Sequence, residues 1–399
     1  MTFNYRLFVK QLFFSVFKTR NTNARLTPKR VRVLALFSIL FPFFWSFGMF
    51  CLLLDHLLFG GFRRQEIKKP VFILGNFRSG STLLHRLLSR DSYNFITIKS
   101  WEIYAAPSIS QRKFFRGLKL FERLFGSPFL NRLKSWEERE LKQIKIHRTG
   151  IWEPEEDEGL FLYIWYSLFV WFFFPDALES ARIHHFDEAY SGPVKRRFMR
   201  FYRACIKRHL YAHLPSKARP PKRCPSKRRP SKLYLTKNPS LTGRVDALLT
   251  HFPDAKIIYL VRNPLDTVSS QMGWFSFTWH YFADPVERYP FQKLLLDMAH
   301  HWYHYPPKRL EQEPEERYAV VTFDQLTQNL EEVVTDIYHR FDLELTDAFR
   351  AIIHVAGEHS RAYSSKHSHA LQYAGLDPER IIEEFEDIFD RYGFRKDIR

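Results

Sequence analysis

Residues 71–88 read VFILGNFRSGSTLLHRLL, an apolar strand that runs through a glycine-containing loop into an apolar-periodic helix. Consecutive backbone N–H groups in such a loop form a concave anion site, and the positive end of the helix dipole strengthens it. The glycine spacing matches the nucleotide-triphosphate loop GxxxxGK[ST], except that Ser81 stands where that loop has lysine. The stretch therefore predicts a phosphate site at the first strand of an α/β sheet.

The missing lysine changes the chemistry that this loop predicts. In phosphoryl transfer the lysine reaches the β- and γ-phosphates, so its absence argues against a kinase or an ATPase. A cation is supplied inside the loop by Arg78, whose guanidinium can hold a single phosphate through two hydrogen bonds. The expected phosphate-binding residues are Arg78, Ser79, Gly80, Ser81 and Thr82.

A second phosphate site is predicted by residues 256–270, which read KIIYLVRNPLDTVSS. A nucleoside triphosphatase usually ends such a strand in an acid that holds magnesium, whereas this strand ends in Arg262. Arg262 and Ser270, two helical turns further along, can together bind a separate phosphate. For either residue alone, a salt bridge to Asp266 or helix capping is the simpler interpretation. Two separate sites fit a 3',5'-bisphosphonucleoside better than a triphosphate.

Five short apolar segments are predicted to be strands, separated by stretches with the spacing of amphipathic helices. The strands are expected at residues 71–74, 95–98, 233–236, 257–261 and 319–323. This alternation predicts an α/β fold, with a P-loop-type parallel sheet flanked by helices on both faces.

The first 60 residues are predicted to form an N-terminal membrane-associated helical extension, and residues 61–399 the α/β domain. Residues 33–54 contain no charged side chain and, as a helix, can cross a hydrocarbon core of about 30 Å. The segment before them has eight basic residues and no acid, a composition that favours contact with anionic lipid. Within the domain, residues 216–232 have eight basic residues and four prolines, which predicts an exposed loop insertion.

The membrane topology stays open from the sequence. Basic residues between 63 and 69 weaken the charge asymmetry across the apolar run, and Pro42 permits a re-entrant hairpin. A buried core helix is a further alternative. Asn238 is followed by proline, so the chain has no acceptor sequence for N-glycosylation. This favours the cytoplasmic face of a membrane, with the Golgi lumen as the alternative.

Four motifs resemble the PAPS-dependent sulfotransferase family, of the branch common in bacteria and related to the carbohydrate and tyrosylprotein enzymes. Residues 78–82 resemble its 5'-phosphosulfate loop, and residues 262–270 resemble its 3'-phosphate motif. Residues 237–239, Lys-Asn-Pro, and residues 367–376, HSHALQYAGL, are similar to two further family segments. The resemblance spans residues 70–395 and implies transfer of a sulfuryl group from 3'-phosphoadenosine 5'-phosphosulfate (PAPS) to a hydroxyl or an amine.

The resemblance also implies roles for basic residues. Transfer needs positive charge around the sulfuryl oxygens and the leaving phosphate. Arg78 and Lys237 are expected to supply it, Lys237 because it emerges at a strand's carboxyl end. Lys366 and His367 lie where the family folds basic residues onto the nucleotide, and are assigned to the 3'-phosphate.

A carboxylate is expected to accept the acceptor's proton. Glu102 is the first candidate, because it follows the second strand where related family members place a catalytic glutamate. Glu156 and Glu158 are the second choice. They follow Pro154, however, and acids in a first helical turn already satisfy the helix dipole without any catalysis.

The composition limits which molecules the protein is expected to bind. A net charge of +18 fits phosphorylated or sulfated partners or an anionic membrane, and 40 Phe and 9 Trp suggest a lipid or other apolar acceptor, or a glycan. Nucleic acid is not expected, since the basic runs lie beside the apolar anchor and in a linker. No metal is expected, and the oligomeric state stays open. The alternatives are a membrane-bound P-loop nucleotide kinase and a non-catalytic anion-binding adaptor.

Overall fold

The computed structural model describes residues 3–20, 22–141, 150–174, 182–213, 232–289, 291–361 and 376–396. Four predictions fall wholly or largely outside these residues. They are Lys366, His367, the 367–376 segment, of which only Leu376 is described, and the 216–232 insertion, of which only Lys232 is described.

Five parallel strands form one sheet with the order β2-β3-β1-β4-β5. The strands are β1 (Val71–Gly75), β2 (Phe95–Thr97), β3 (Leu233–Lys237), β4 (Lys256–Val261) and β5 (Tyr318–Thr322). Each predicted strand is confirmed to within one residue at either end. β1 and β4 are buried along their whole length, which is why they read as unbroken apolar runs.

Helices cover both faces of the sheet, as predicted. The α-helices are α1 (Tyr5–Phe17), α2 (Pro28–Leu58), α3 (Ser81–Leu88), α4 (Ser100–Tyr104), α5 (Ile109–Arg123), α6 (Pro128–Trp136), α7 (Val170–Phe173), α8 (Phe186–Ala189), α9 (Gly192–His213), α10 (Val245–His251), α11 (Pro264–Phe282), α12 (Gln292–Leu310), α13 (Phe323–Gln328), α14 (Leu330–Arg340), α15 (Asp347–Arg361), α16 (Pro378–Glu384) and α17 (Glu386–Tyr392). The 3₁₀ helices are Gly60–Arg64, Asp157–Ile164, Pro239–Arg244 and Glu315–Arg317, and a π-helical turn is Glu137–Leu141.

The side chains of β1 divide the core into two parts. Phe72 and Leu74 belong to one apolar cluster, whereas Val71 and Ile73 belong to the other. This follows from the alternation of side chains along a strand. The cluster around Phe72 is the larger, and it includes Leu7, Leu34 and Leu52 from the two N-terminal helices. α1 and α2 are therefore packed on the α/β core.

Asp55, near the end of α2, fixes this helix to the rest of the chain. Its carboxylate is fully buried and lies 3.0 Å from Nε of Arg208 on α9. It also accepts hydrogen bonds from the backbone N–H groups of Ile109 and Ser110, each at 2.9 Å, at the start of α5. One carboxylate thus joins α2, α5 and α9.

Replacing Asp55 by Ala should lower the free energy of unfolding by about 3–5 kcal/mol, because Arg208 would stay buried without its counter-ion. Chemical denaturation in mild detergent measures the loss. Asp284→Ala is the matched control, since the pair of Asp284 with Lys29 on α2 is partly exposed and should contribute at most about 1 kcal/mol. Equal losses for the two variants would contradict the role given to Asp55.

Candidate active site

The loop between β1 and α3 depends on two glycines. Gly75 has a φ of +132°, and a Cβ there would lie 2.3 Å from the carbonyl oxygen of Leu260 on β4. Gly80 has a φ of +89°, and its Cβ would lie 2.7 Å from the ring of Phe323. Only glycine combines these dihedral angles with such close approach. The loop is therefore held tightly against β4 and the start of α13.

Arg78 lies between these glycines with a φ of +71°, a left-handed conformation that is uncommon for a residue with a side chain. Its Nε donates a hydrogen bond of 2.9 Å to Oγ of Ser270 on α11. α3 begins at Ser81, so the first N–H groups of that helix lie beside the loop and carry its positive dipole. The loop that was predicted to bind an anion therefore leads directly into a helix N-terminus, and anion binding by it stays a prediction.

Arg262, at the carboxyl end of β4, meets the same loop. Its guanidinium donates to the carbonyl oxygen of Arg78 at 3.1 Å and packs over the Phe323 ring, 4.4 Å from the centroid. Arg262 also forms a salt bridge with Asp266 at 3.3 Å. The structure therefore also contains the salt bridge that the sequence analysis gave as the simpler interpretation of this arginine. Arg78, Arg262 and Ser270 are therefore joined by direct contacts at the carboxyl ends of β1 and β4.

Lys237 approaches the loop from the other side. It ends β3 beside Ile73 of β1, and its side chain is buried. Its Nζ donates to Oγ1 of Thr82 at 3.3 Å and forms an ion pair with Glu156. The structure therefore brings Lys237 and Glu156 to the first turn of α3.

The partners of the neighbouring acids Asp157 and Glu158 differ from those of Glu156. Asp157 accepts hydrogen bonds from Tyr234 at 2.9 Å and from Asn238 at 2.8 Å. Glu158 also accepts from Asn238, at 3.2 Å, and lies 3.7 Å from Arg244. Burial raises the pKa of both carboxyl groups, although these contacts oppose it. Both acids hold the segment after β3, which positions Lys237.

Glu102 lies in a separate cluster. It hydrogen-bonds His213 and lies 3.9 Å from both Arg112 and His209. It also accepts from the N–H of Lys99, which caps α4, at 3.0 Å. Burial alone would raise the pKa of Glu102, but the His213 hydrogen bond and the electrostatic effects of His209 and Arg112 bring it below its usual range. Among the described residues, its ion-pair partners come from α5 and α9.

His85 was missed from the sequence. It lies on the buried side of α3, one turn after Thr82. Burial and then the charge of Lys237 lower the pKa of His85 to about 3, and Glu155 offsets this only in part. A neutral imidazole therefore lies beside Lys237. In the sequence, the signal that could have identified His85 is its position three residues after Thr82, about one helical turn further along α3.

Three groups of side chains in the described ranges have a spacing that suits a metal ion. They are Glu102 with His209 and His213, His184 with His185 and Asp297, and His185 with Glu188 and His301. None of them includes a residue of the 75–82 loop. In the second group, one Asp297 oxygen already accepts hydrogen bonds from both imidazoles, at 2.8 and 2.9 Å.

Comparisons with known proteins agree with this architecture. Residues 70–347 match the family model described as "Sulfotransferase family". The crystal structure of sulfotransferase STF9 from Mycobacterium avium is similar, with a TM-score of 0.68, 17% identity, and coverage of 98% of this chain and 97% of that chain. Sulfotransferase STF1 from Mycobacterium tuberculosis H37Rv gives a TM-score of 0.65, 18% identity, and coverage of 96% and 92%. At this identity the two structures show the fold alone. No curated protein matches the sequence.

Gly75→Ala should destabilise the protein by about 2 kcal/mol or more, because the new Cβ meets the Leu260 carbonyl and the φ is unfavourable. Gly117→Ala is the control. Gly117 lies inside α5 with no atom within 4 Å of its added Cβ, so alanine should stabilise by about 1 kcal/mol. Denaturation curves compare the two variants, and changes of the same sign would contradict the geometry described for the loop.

Proposed function

Because the chain belongs to the sulfotransferase family, we propose that it transfers a sulfuryl group from PAPS to a hydroxyl or an amine of an acceptor. The observation that carries the proposal is that Arg78 contacts both Arg262 and Ser270, and we propose that these three residues line one cleft. A nucleotide with phosphates on both sides of its ribose needs two neighbouring cationic positions. Arg78 in the loop after β1 and Arg262 after β4 are proposed to supply them.

The residues at the cleft suit the two ends of this donor. We assign the 5'-phosphosulfate to Arg78 and to the N–H groups of residues 79–82, where the helix dipole adds positive charge. We assign the 3'-phosphate to Arg262 and Ser270. Asp266 pairs with Arg262, but its side chain is half exposed, so an incoming phosphate can displace it into solvent.

The chemistry requires little covalent participation by the protein. The acceptor oxygen or nitrogen attacks sulfur in line with the departing phosphate, the S–O bond to that phosphate breaks, and adenosine 3',5'-bisphosphate leaves. Lys237 lies beside Thr82 and is proposed to stabilise charge on the sulfuryl oxygens. The acceptor's proton passes to a carboxylate.

We propose Glu156 as that carboxylate, in preference to Glu102. Glu156 is paired with Lys237 at the loop, so when the sulfuryl group attracts Lys237 the carboxylate becomes available to a proton. Glu102 is held by His213 and has a lowered pKa, which makes it a weaker base. Its cluster is better suited to holding α4, α5 and α9 together.

The acceptor is proposed to be a lipid or a glycan. Burial and then the charges of Glu155 and Glu156 raise the pKa of Tyr104, yet 49% of the surface of this residue is exposed. An aromatic surface beside Glu156 suits a sugar ring or a lipid chain. Within the described residues, one helix, Pro28–Leu58, is long and apolar enough to cross a membrane. We propose that it attaches the enzyme to a membrane, on the cytoplasmic face.

Two alternatives are less well supported. A membrane-bound kinase needs the loop lysine and an acid that holds magnesium after β4, where this chain has Ser81 and Arg262. A non-catalytic anion-binding adaptor needs the cleft but gives no reason for a buried Lys237–Glu156 pair beside it.

Isothermal calorimetry should detect metal-independent binding of adenosine 3',5'-bisphosphate. Arg78→Ala and Arg262→Ala should each weaken it by about 30-fold or more, since a charge-assisted contact to a buried phosphate is lost. Arg350→Ala, an exposed arginine on α15, is the control and should bind as wild type does. Tighter binding of ATP with magnesium, or unchanged binding by Arg262→Ala, would contradict the proposal.

Glu156→Gln should lower the rate of sulfuryl transfer by about 10²- to 10⁴-fold, the usual contribution of a general base, while leaving affinity for the bisphosphate within a few-fold. Glu102→Gln should instead lower stability and change the rate much less. Transfer of radiolabelled sulfuryl from PAPS to a membrane lipid extract and to soluble glycans measures both variants. A larger rate loss in Glu102→Gln at equal folded fraction would reverse the assignment.

A further inference from the structure

α1 and α2 form an antiparallel pair. The Phe3 ring lies 5.2 Å from that of Trp45, and the Phe8 ring 5.9 Å from that of Phe41. At the other end of the pair, Arg30 donates a hydrogen bond to Ser15 on α1 at 3.4 Å. The two helices therefore present one continuous surface.

α2 is attached to the α/β domain along nearly its whole length. Near its start, Nζ of Lys29 lies 3.1 Å from Asp284, and near its end Asp55 contacts Arg208. Between them, the Trp45 indole donates to the carbonyl oxygen of Tyr163 at 3.0 Å. Lys29 and Asp55 are separated by about 39 Å of helix at 1.5 Å per residue.

This packing makes a crossing of the bilayer by α2 costly. A crossing α2 would carry the domain surface around Asp284 and Arg208 into hydrocarbon, or it would have to leave the domain and expose Asp55 there. Either outcome places unsatisfied charge or backbone in lipid, at a cost of several kcal/mol per group. The packing therefore favours an arrangement that keeps both ends of α2 on one side of the membrane, over the crossing anchor expected from the apolar run.

The side of α2 that faces away from the domain is apolar. Only 17% of its most apolar 18-residue window is buried. Its large exposed apolar side chains, most of which recur at helical spacing, are Val31, Leu36, Ile39, Leu40, Phe43, Phe44, Phe47, Phe50, Leu53, Leu57 and Leu58. On α1 they are Tyr5, Val9, Phe13, Val16 and Phe17.

α5 continues this surface. Its first N–H groups are capped by Asp55 of α2, so the two helices are adjacent. Phe114, Leu118 and Phe121 are exposed at spacings of three and four residues. We name the exposed apolar residues of α1, α2 and α5 the lipid face. A patch on three neighbouring helices exceeds what soluble monomers usually expose.

Most of the exposed charges around the lipid face are positive, and the acids near it include Asp284 beside Lys29 and Glu122 on α5. The exposed cations nearest to it in sequence are Arg6, Lys18, Arg20, Arg25, Arg32, Lys113, Arg116, Lys119 and Arg123. In residues 3–58 the one acid is the buried Asp55. A second copy of the chain would bring two such basic rims together, whereas an anionic bilayer neutralises the rim and accepts the apolar side chains.

We propose that the lipid face lies in the plane of an anionic bilayer, with α1, α2 and α5 immersed on one side and without any helix crossing. Both ends of α2 and the whole α/β domain then remain on the same side of the membrane. This inference does not rest on sulfuryl transfer, because it uses packing, exposure and charge alone.

Single-cysteine labelling tests the topology. Cysteine is introduced at Arg25 or at Lys68, before and after α2, in a chain whose Cys51, Cys205 and Cys224 are replaced by alanine. After binding to sealed vesicles, both positions should react to the same extent with a membrane-impermeant maleimide added outside. Protection of one position until detergent is added would show that α2 crosses the bilayer and would overturn the proposal.

Vesicle flotation of the full chain tests the surface without changing the cysteines. Binding to phosphatidylcholine vesicles with 30% phosphatidylserine should exceed binding to pure phosphatidylcholine by about tenfold or more and should fall with salt. Phe47→Asp should reduce binding by about tenfold or more. Val355→Asp on α15, which is 49% exposed like Phe47, should change nothing.

Three outcomes would overturn the proposal. They are vesicle binding by Phe47→Asp equal to wild type, equal binding to neutral and anionic vesicles, and a stable dimer that Phe47→Asp dissociates while no vesicle binding occurs. Calorimetry with adenosine 3',5'-bisphosphate on Phe47→Asp distinguishes a failure of this proposal from a failure of the proposed function. The cleft lies outside the lipid face, so the affinity of this variant for the bisphosphate should be unchanged.

Discussion

The close approach of Gly75 to the Leu260 carbonyl is the constraint on which the site depends. It draws the end of β1 against β4, and the backbone then turns at Arg78 in a left-handed conformation. Because of this turn, the Arg78 side chain reaches Ser270 while its carbonyl oxygen accepts from Arg262. Two arginines that would repel each other elsewhere are thereby fixed at one cleft edge, where an anion with two charged ends satisfies both.

The other side of the cleft is held by buried charge. Lys237 would be costly to bury alone, and its pairing with Glu156 reduces that cost. The carboxylates of Asp157 and Glu158 share Asn238, which caps the turn directly after Lys237. Such a buried polar network gives little net stability, but it fixes one geometry. The acids after Pro154 therefore divide into Glu156, which pairs with Lys237, and two others that hold the segment after Lys237.

The sequence predicts the sheet well, whereas the contacts of the acids could not be predicted from it, for physical reasons. Parallel strands covered on both faces read as apolar runs, and their carboxyl ends meet at one edge, so Arg262 and Lys237 could be placed from strand ends alone. The roles of Glu156 and Glu102 depend on partners far along the chain, such as Lys237 and His213, which no local pattern reveals. Similarly, hydropathy predicts the apolar centre of α2, residues 33–54, but neither its full extent, Pro28–Leu58, nor its packing. Asp55, one residue beyond the apolar run, was the one local feature of the sequence that indicated this packing.

The lipid face and the cleft are joined by a short path through the fold. Asp55 of α2 caps α5, and α5 follows Tyr104 of α4 after four residues, 105–108. Tyr104 in turn lies beside the acids that include Glu156. With α2 in the plane of a bilayer, the acceptor side of the cleft stays close to the headgroup level. An acceptor whose apolar part remains in the lipid can then present a hydroxyl to Glu156 without leaving the membrane, which favours an amphipathic acceptor over a freely soluble one.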